Sequence, residues 1–137
     1  MGETGLLVVL DTSILMLAVE HGIDLFGEIS RLVPMLHKCV VLTSVYNELN
    51  NMSKSKSNKE KLLARAALKM VSKCEIVNFK ENEGADDSIL EFAKNNFRKV
   101  IVATNDAELR RKLRMLSIPV IYIRESNYLE MDGEVSW

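Results

Sequence analysis

At 137 residues and 47% hydrophobic, the chain fits one compact domain with an ordinary core and leaves no room for a second. Its 18 basic and 19 acidic side chains leave a formal charge of −1, so overall charge neither favours nor excludes a nucleic-acid partner. No apolar stretch approaches the roughly 18 residues that span a bilayer, and residues 1–5 lack the basic start of a secretory signal. The expectation is a cytoplasmic protein with no membrane contact.

Residues 6–10 predict a short strand, and Asp11-Thr12-Ser13 supplies N-cap chemistry for a helix through about His21, stopped by Gly22. Asp24 opens a second helix with Leu25, Phe26, Ile29, Leu32, Val33 and Leu36 at helical spacing, which Pro34 kinks or ends early. Residues 39–43 read as a strand, and Ser44 caps a short helix carrying Val45, Glu48 and Leu49. A polar loop follows over residues 52–58, with Lys54 and Lys56 among serines. Residues 59–72 form a helix with Leu62, Leu63, Ala66, Ala67 and Met70 inward, and residues 74–79 a strand. The helix over residues 85–97 carries Asp86 and Asp87 in its first turn. A strand at 99–103, a helix at 105–116 and a fifth strand at 120–123 complete the series. From about residue 125 the tail reads as irregular, with Tyr128, Met131 and Trp137 as groups that dock on the body or on a second subunit. Cys39 and Cys74 are too few and too far apart for a disulfide framework or a zinc knuckle and read as core thiols. Strands alternating with helices predict βαβ units and a three-layer α/β/α sandwich within a single domain over residues 1–137.

Four acidic sites stand where apolar runs give way to polar turns or helices: Asp11, Glu48, the pair Asp86-Asp87, and Asp106. Runs buried on both faces are strands of a parallel sheet, whose carboxyl rim is where open α/β folds bind ligands. Each acid alone has an ordinary reading. Asp11 is a helix N-cap, Glu48 a solvated side chain, and Asp86, Asp87 and Asp106 first-turn charges favoured by the helix dipole. Together they repel one another unless a cation compensates them, and Mg²⁺ or Mn²⁺ prefers oxygen ligands. His21 and His37 lie away from the strand exits and read as surface or helix-end residues.

The blocks Val9-Leu10-Asp11-Thr12-Ser13, Val45-Tyr46-Asn47-Glu48-Leu49, Gly84-Ala85-Asp86-Asp87-Ser88 and Val102-Ala103-Thr104-Asn105-Asp106-Ala107-Glu108-Leu109 resemble, in order, those of the PIN domain family. Within it the chain looks closest to archaeal proteins similar to the rRNA-processing nuclease Utp24 (Fcf1), with the VapC toxins as the neighbouring branch. The resemblance implies a five-stranded parallel sheet and an endoribonuclease that depends on one or two Mg²⁺ or Mn²⁺ ions. It casts Asp11, Glu48, Asp86 and Asp106 as the catalytic, metal-holding quartet. Asp87 is then a supporting group, Thr104 a hydroxyl near the site, and Thr12 and Ser13 candidates to orient Asp11. Arg110 and Arg114, at i and i+4 behind Asp106, are candidate RNA contacts, with Lys54 and Lys56 as a second patch. The implied role is rRNA processing, with a toxin of a toxin–antitoxin pair as the alternative and a non-catalytic RNA-binding or scaffold module as a reading of another class. RNA is the expected partner, beside a second copy, an antitoxin or a ribosome-assembly factor.

Overall fold

The computed structural model describes residues 5–135 and Trp137. Its strands are β1 (Leu6–Leu10), β2 (His37–Leu42), β3 (Glu75–Val77), β4 (Val100–Ala103), β5 (Val120–Arg124) and β6 (Tyr128–Asp132). The helices are α1 (Thr12–His21), α2 (Leu25–Leu32), α3 (Thr43–Met52), α4 (Asn58–Val71), α5 (Ala85–Asn95) and α6 (Ala107–Met115). One sheet runs in the order β3-β2-β1-β4-β5-β6. The first five strands pair in parallel, as expected, and β1 and β4 lie side by side at its centre.

Burial explains why the central strands are continuous apolar runs. Val8, Val9 and Leu10 of β1 and all four residues of β4 are fully buried, because helices cover both faces of the sheet. Helix α1 packs on α4 and reaches β5, while α5 and α6 pack on each other and on β2, β4 and β5. Helix α3 touches both α4 and α5.

The sequence punctuation works where its mechanism is local. Gly22 ends α1 in the left-handed region at φ 64° and donates its N–H to Ala18, a conformation that any side chain would strain. Helix α2 stops at Leu32 because Val33 precedes Pro34 and is pushed out of helical geometry, to φ −123° and ψ 79°.

Three expectations need correction. The tail beyond residue 125 is not irregular, since β6 pairs antiparallel with β5 and makes the sheet six-stranded. Glu125 and Ser126 both take positive φ (55° and 53°), and Asn127 N–H closes the turn onto Arg124 O at 3.1 Å. Two left-handed residues in succession suit the twist of a hairpin, but Glu-Ser carries none of the Asn-Gly chemistry that announces one. Ser44 does not cap α3. That helix starts at Thr43 behind Leu42, which offers no side-chain cap. In α4 the buried ridge is Ala64, Ala67 and Val71, and Leu62 is 63% exposed.

Candidate active site

Strands β1 and β4 lead their following helices away in opposite directions across the sheet, and a crevice opens beyond their carboxyl ends at such a switch point. Asp11 follows β1 directly and Asp106 is the third residue after β4. Glu48 comes from the second turn of α3 and Asp86 from the first turn of α5. All four line one cleft of about 350 Å³ with Thr12, Ser13, Met16, Leu17 and Met52. The structure thus brings the whole predicted quartet together.

Asp11 is the most enclosed of the four at 3% exposure, and its carboxylate is fixed by three donors. Thr12 N–H donates to Oδ1 at 2.8 Å, while the Thr104 and Ser13 hydroxyls donate to Oδ2 at 2.6 and 3.0 Å. Each hydroxyl has one proton, so Thr104 and Ser13 act as acceptors toward their remaining neighbours. Ser13 Oγ accepts from Asn105 N–H and Thr104 Oγ1 from Asp106 N–H, both at 3.0 Å. The two hydroxyls therefore tie the exit of β1 to that of β4. Burial pushes the Asp11 carboxyl upward, the three donors pull against that, and the charge of Glu48 adds to the rise.

Thr12 extends the array by donating its hydroxyl to Glu48 Oε1. Asp106 caps α6, accepting Leu109 N–H on Oδ1 at 2.9 Å, which leaves Oδ2 for the cleft. The Asp86 carboxyl is pushed up to about 6, first by partial enclosure and then by Asp11, Asp106, Glu48 and Asp87. Mutual repulsion thus adds to the rise at Asp86. Asp87 lies beside it but lines the neighbouring groove rather than the cleft.

Two contributors escaped the sequence reading. Ser44 and Ser88 are buried and their hydroxyls lie 2.5 Å apart. Since Ser88 spends its proton on Ala85 O at 3.0 Å, Ser44 is the donor, and the bond latches the helix of Glu48 to that of Asp86. Asn105 carried no assigned role in the sequence. Its amide clips the end of β5, accepting Ile123 N–H at 2.6 Å and donating to Ile123 O at 3.3 Å.

The predicted basic contacts fare differently. Arg110 and Arg114 do share a face, but it is turned toward β6, where Asp132 takes both at 3.3 and 3.4 Å. Arg110 also stacks on Tyr122, its guanidinium carbon 3.6 Å from the ring centre. Lys54 and Lys56 are exposed on the loop after α3. The thiols of Cys39 and Cys74 are pushed up to about 11 and about 12 by burial, in keeping with inert packing.

The donor set is all oxygen and its charges are uncompensated by any cation lining the cleft, which fits a hard divalent ion. Among the described residues no three carboxylate, imidazole or thiolate groups are arranged to hold a metal by themselves. Mg²⁺ keeps several waters and takes few protein carboxylates, so a partial protein shell suits it. Also among the described residues, no helix is long and apolar enough to cross a membrane.

The chain is 38% identical over 130 residues to Ribonuclease VapC4 of Methanocaldococcus jannaschii, covering 93% of this chain and 98% of that protein. It is 36% identical over 117 residues to Ribonuclease VapC9 of Archaeoglobus fulgidus, covering 85% and 82%. The fold is similar to that of the PIN domain endonuclease Utp24, with a TM-score of 0.76 at 21% identity over 94% of this chain and 92% of that one. A family described as a PIN like domain matches residues 8–126, which span every acid of the cleft, and the chain belongs to that family.

Proposed function

We propose that the chain is a metal-dependent endoribonuclease that hydrolyses RNA phosphodiesters in the cleft of Asp11, Glu48, Asp86 and Asp106. The observation that carries this reading is the convergence of four carboxylates from four elements on one side of a parallel sheet. The ribonuclease names of relatives at 38% and 36% identity support it. They also support the VapC-type toxin as the cellular role ahead of rRNA processing, because the likeness to Utp24, at 21% identity, speaks for the fold alone.

Asp11, Asp86, Asp106 and Glu48 would hold Mg²⁺ or Mn²⁺, which when bound activates water and stabilises charge on the leaving oxygen. The chain's own contribution is positioning. Thr104 and Ser13 donate to Oδ2 of the Asp11 carboxylate, fixing its orientation and offsetting part of the upward push of burial. Thr12 holds Glu48 against the same wall. The apolar side of the cleft, Met16, Leu17 and Met52, offers a surface for an unpaired base and sheds water from that flank.

Labelled single-stranded and hairpin RNAs incubated with Mg²⁺ or Mn²⁺ test the reading, with wild type beside Asp11→Asn and Asp106→Asn. Cleavage should leave 5′-phosphate and 3′-hydroxyl ends and stop with EDTA, and each substitution should cut the rate by at least about a hundredfold. Cleavage that survives both substitutions, or that ignores EDTA, sinks the mechanism.

A further inference from the structure

No cation lines the carboxylate cleft, yet its substrate is a polyanion. The cleft adjoins, through Asp86, a groove of about 240 Å³ between α5 and α6. Asp87, Leu90, Glu108, Leu109 and Lys112 complete that groove, and Lys112 is the one positive side chain lining either space. Its ammonium is 3.3 Å from Glu108, one turn back on α6, and both side chains are open to solvent. An exposed i,i+4 pair is weak, so a phosphate can displace the carboxylate.

Arg110 and Arg114 stand otherwise. Both are committed to Asp132, Arg110 is stacked on Tyr122, and Arg114 donates to Ile118 O at 3.2 Å. They line a different cavity, with Ala107, Arg111, Met115 and Asp132, and that cavity shares no residue with the carboxylate cleft.

We infer that the α5–α6 groove carries the RNA strand out of the carboxylate cleft and that Lys112 is a positioning residue for a phosphate flanking the one that is cut. This rests on the nuclease reading above. Lys112 lies six residues beyond Asp106, roughly 9 Å along the helix axis, a span that a nucleotide step and a lysine side chain bridge together. A compact ammonium suits a contact that positions the backbone without reading sequence. The acids of the groove, Asp86, Asp87 and Glu108, repel phosphate, so Lys112 is the one point on this wall where a phosphate can rest.

The test is equilibrium binding of a fluorescein-labelled oligouridylate to the whole chain across a salt series, with Ca²⁺ replacing Mg²⁺ to suppress cleavage. Lys112→Ala should weaken binding about threefold to tenfold and flatten the slope of log affinity against log salt by about 0.7, the value of one phosphate on a single strand. Lys112→Arg should restore both. Glu108→Gln should tighten binding, because it releases the lysine. In steady-state cleavage with Mg²⁺, Lys112→Ala should raise KM and leave kcat within about twofold. An unchanged slope in Lys112→Ala overturns the inference, as does weaker binding by Glu108→Gln, which marks the pair as a structural bridge alone. Flattening in Arg110→Ala/Arg114→Ala instead would move the track to the other face of α6 and also overturn it. Wild type that neither binds nor cleaves RNA sinks the nuclease reading with it, whereas cleavage by wild type beside an unaffected Lys112→Ala sinks this inference only.

Discussion

Asp86→Asn probes the joint cost of partly enclosing a carboxylate at the rim and crowding it with others. The Asp86 carboxyl lies at about 6 against an ordinary 3.8. At 1.36 kcal/mol per pH unit, that difference bounds the destabilisation at about 3 kcal/mol. The residue is exposed overall, and solvent screening reduces the figure to about 1 kcal/mol. Loss of a first-turn negative charge on α5 takes back about 0.3 kcal/mol. Because the folded value lies above the unfolded one, the stability at stake is intact below 3.8 and lost as pH rises through about 6. In EDTA near pH 8 the variant should therefore melt about 2–4 °C above wild type, and the gap should close toward pH 4. Adding Mn²⁺ should reverse the order, since only the complete quartet gains fully from bound cation. Scanning calorimetry at the two pH values, with and without the ion, decides it. A variant that melts lower at pH 8 in EDTA, or a gap independent of pH, refutes the account of an enclosed and crowded carboxylate.

Thr104→Val removes a donor to Asp11 and orphans Asp106 N–H, both buried or half-buried, so urea unfolding should show a loss of about 2–3 kcal/mol with an unchanged m value. It should also move the acid limb of the cleavage profile to higher pH, because the hydroxyl helps hold the Asp11 carboxyl down. A limb that stays in place would detach Thr104 from Asp11. Leu129→Ala probes β6, where Leu129 is fully buried and its backbone is bracketed by Glu28 and Arg31 of α2. The expected cost is about 2–4 kcal/mol by denaturant titration, and a loss under about 1 kcal/mol would mean that β6 does not pack.

What could be read from sequence, and what could not, follows from the range of the interactions involved. Strand β1 was legible because its apolar run stops at Asp11, where the chain leaves the sheet and caps a helix in one step. Asp106 was legible for the same reason, since its cap on α6 is a contact three residues long. Ser44 and Ser88 lie 44 positions apart, and neither breaks a periodicity, so their bond leaves no trace in the chain. In α4 the pattern placed Ala67 inward correctly but added Leu62, whereas the tertiary contact selected Ala64, Ala67 and Val71, a small ridge that lets α1 and α3 approach closely. The fate of Arg110 and Arg114 was hidden twice over. Their spacing put them on one face, but the partner on that face, Asp132, belongs to a strand whose turn is built from Glu125 and Ser126. One unrecognised turn thus hid both the last strand and the partner of these arginines.

The same rim shows how fold and function oppose each other. Among the described residues no buried side-chain polar atom lacks a partner, so the interior is fully compensated by hydrogen bonds. The carboxylates are compensated differently. Asp11 has three donors and remains pushed upward by burial, while Asp86 has charges of its own sign as neighbours. Donors on Asp11 come from both central strand exits, so the geometry that fixes this wall of the cleft is also what closes β1 on β4. A substitution in the hydroxyl array therefore affects stability and site together, whereas one at Asp86 separates them, raising the first as it removes the second. That division follows from where each side chain gets its partners: inside the sheet for Asp11, and from the solvent side of the cleft for Asp86.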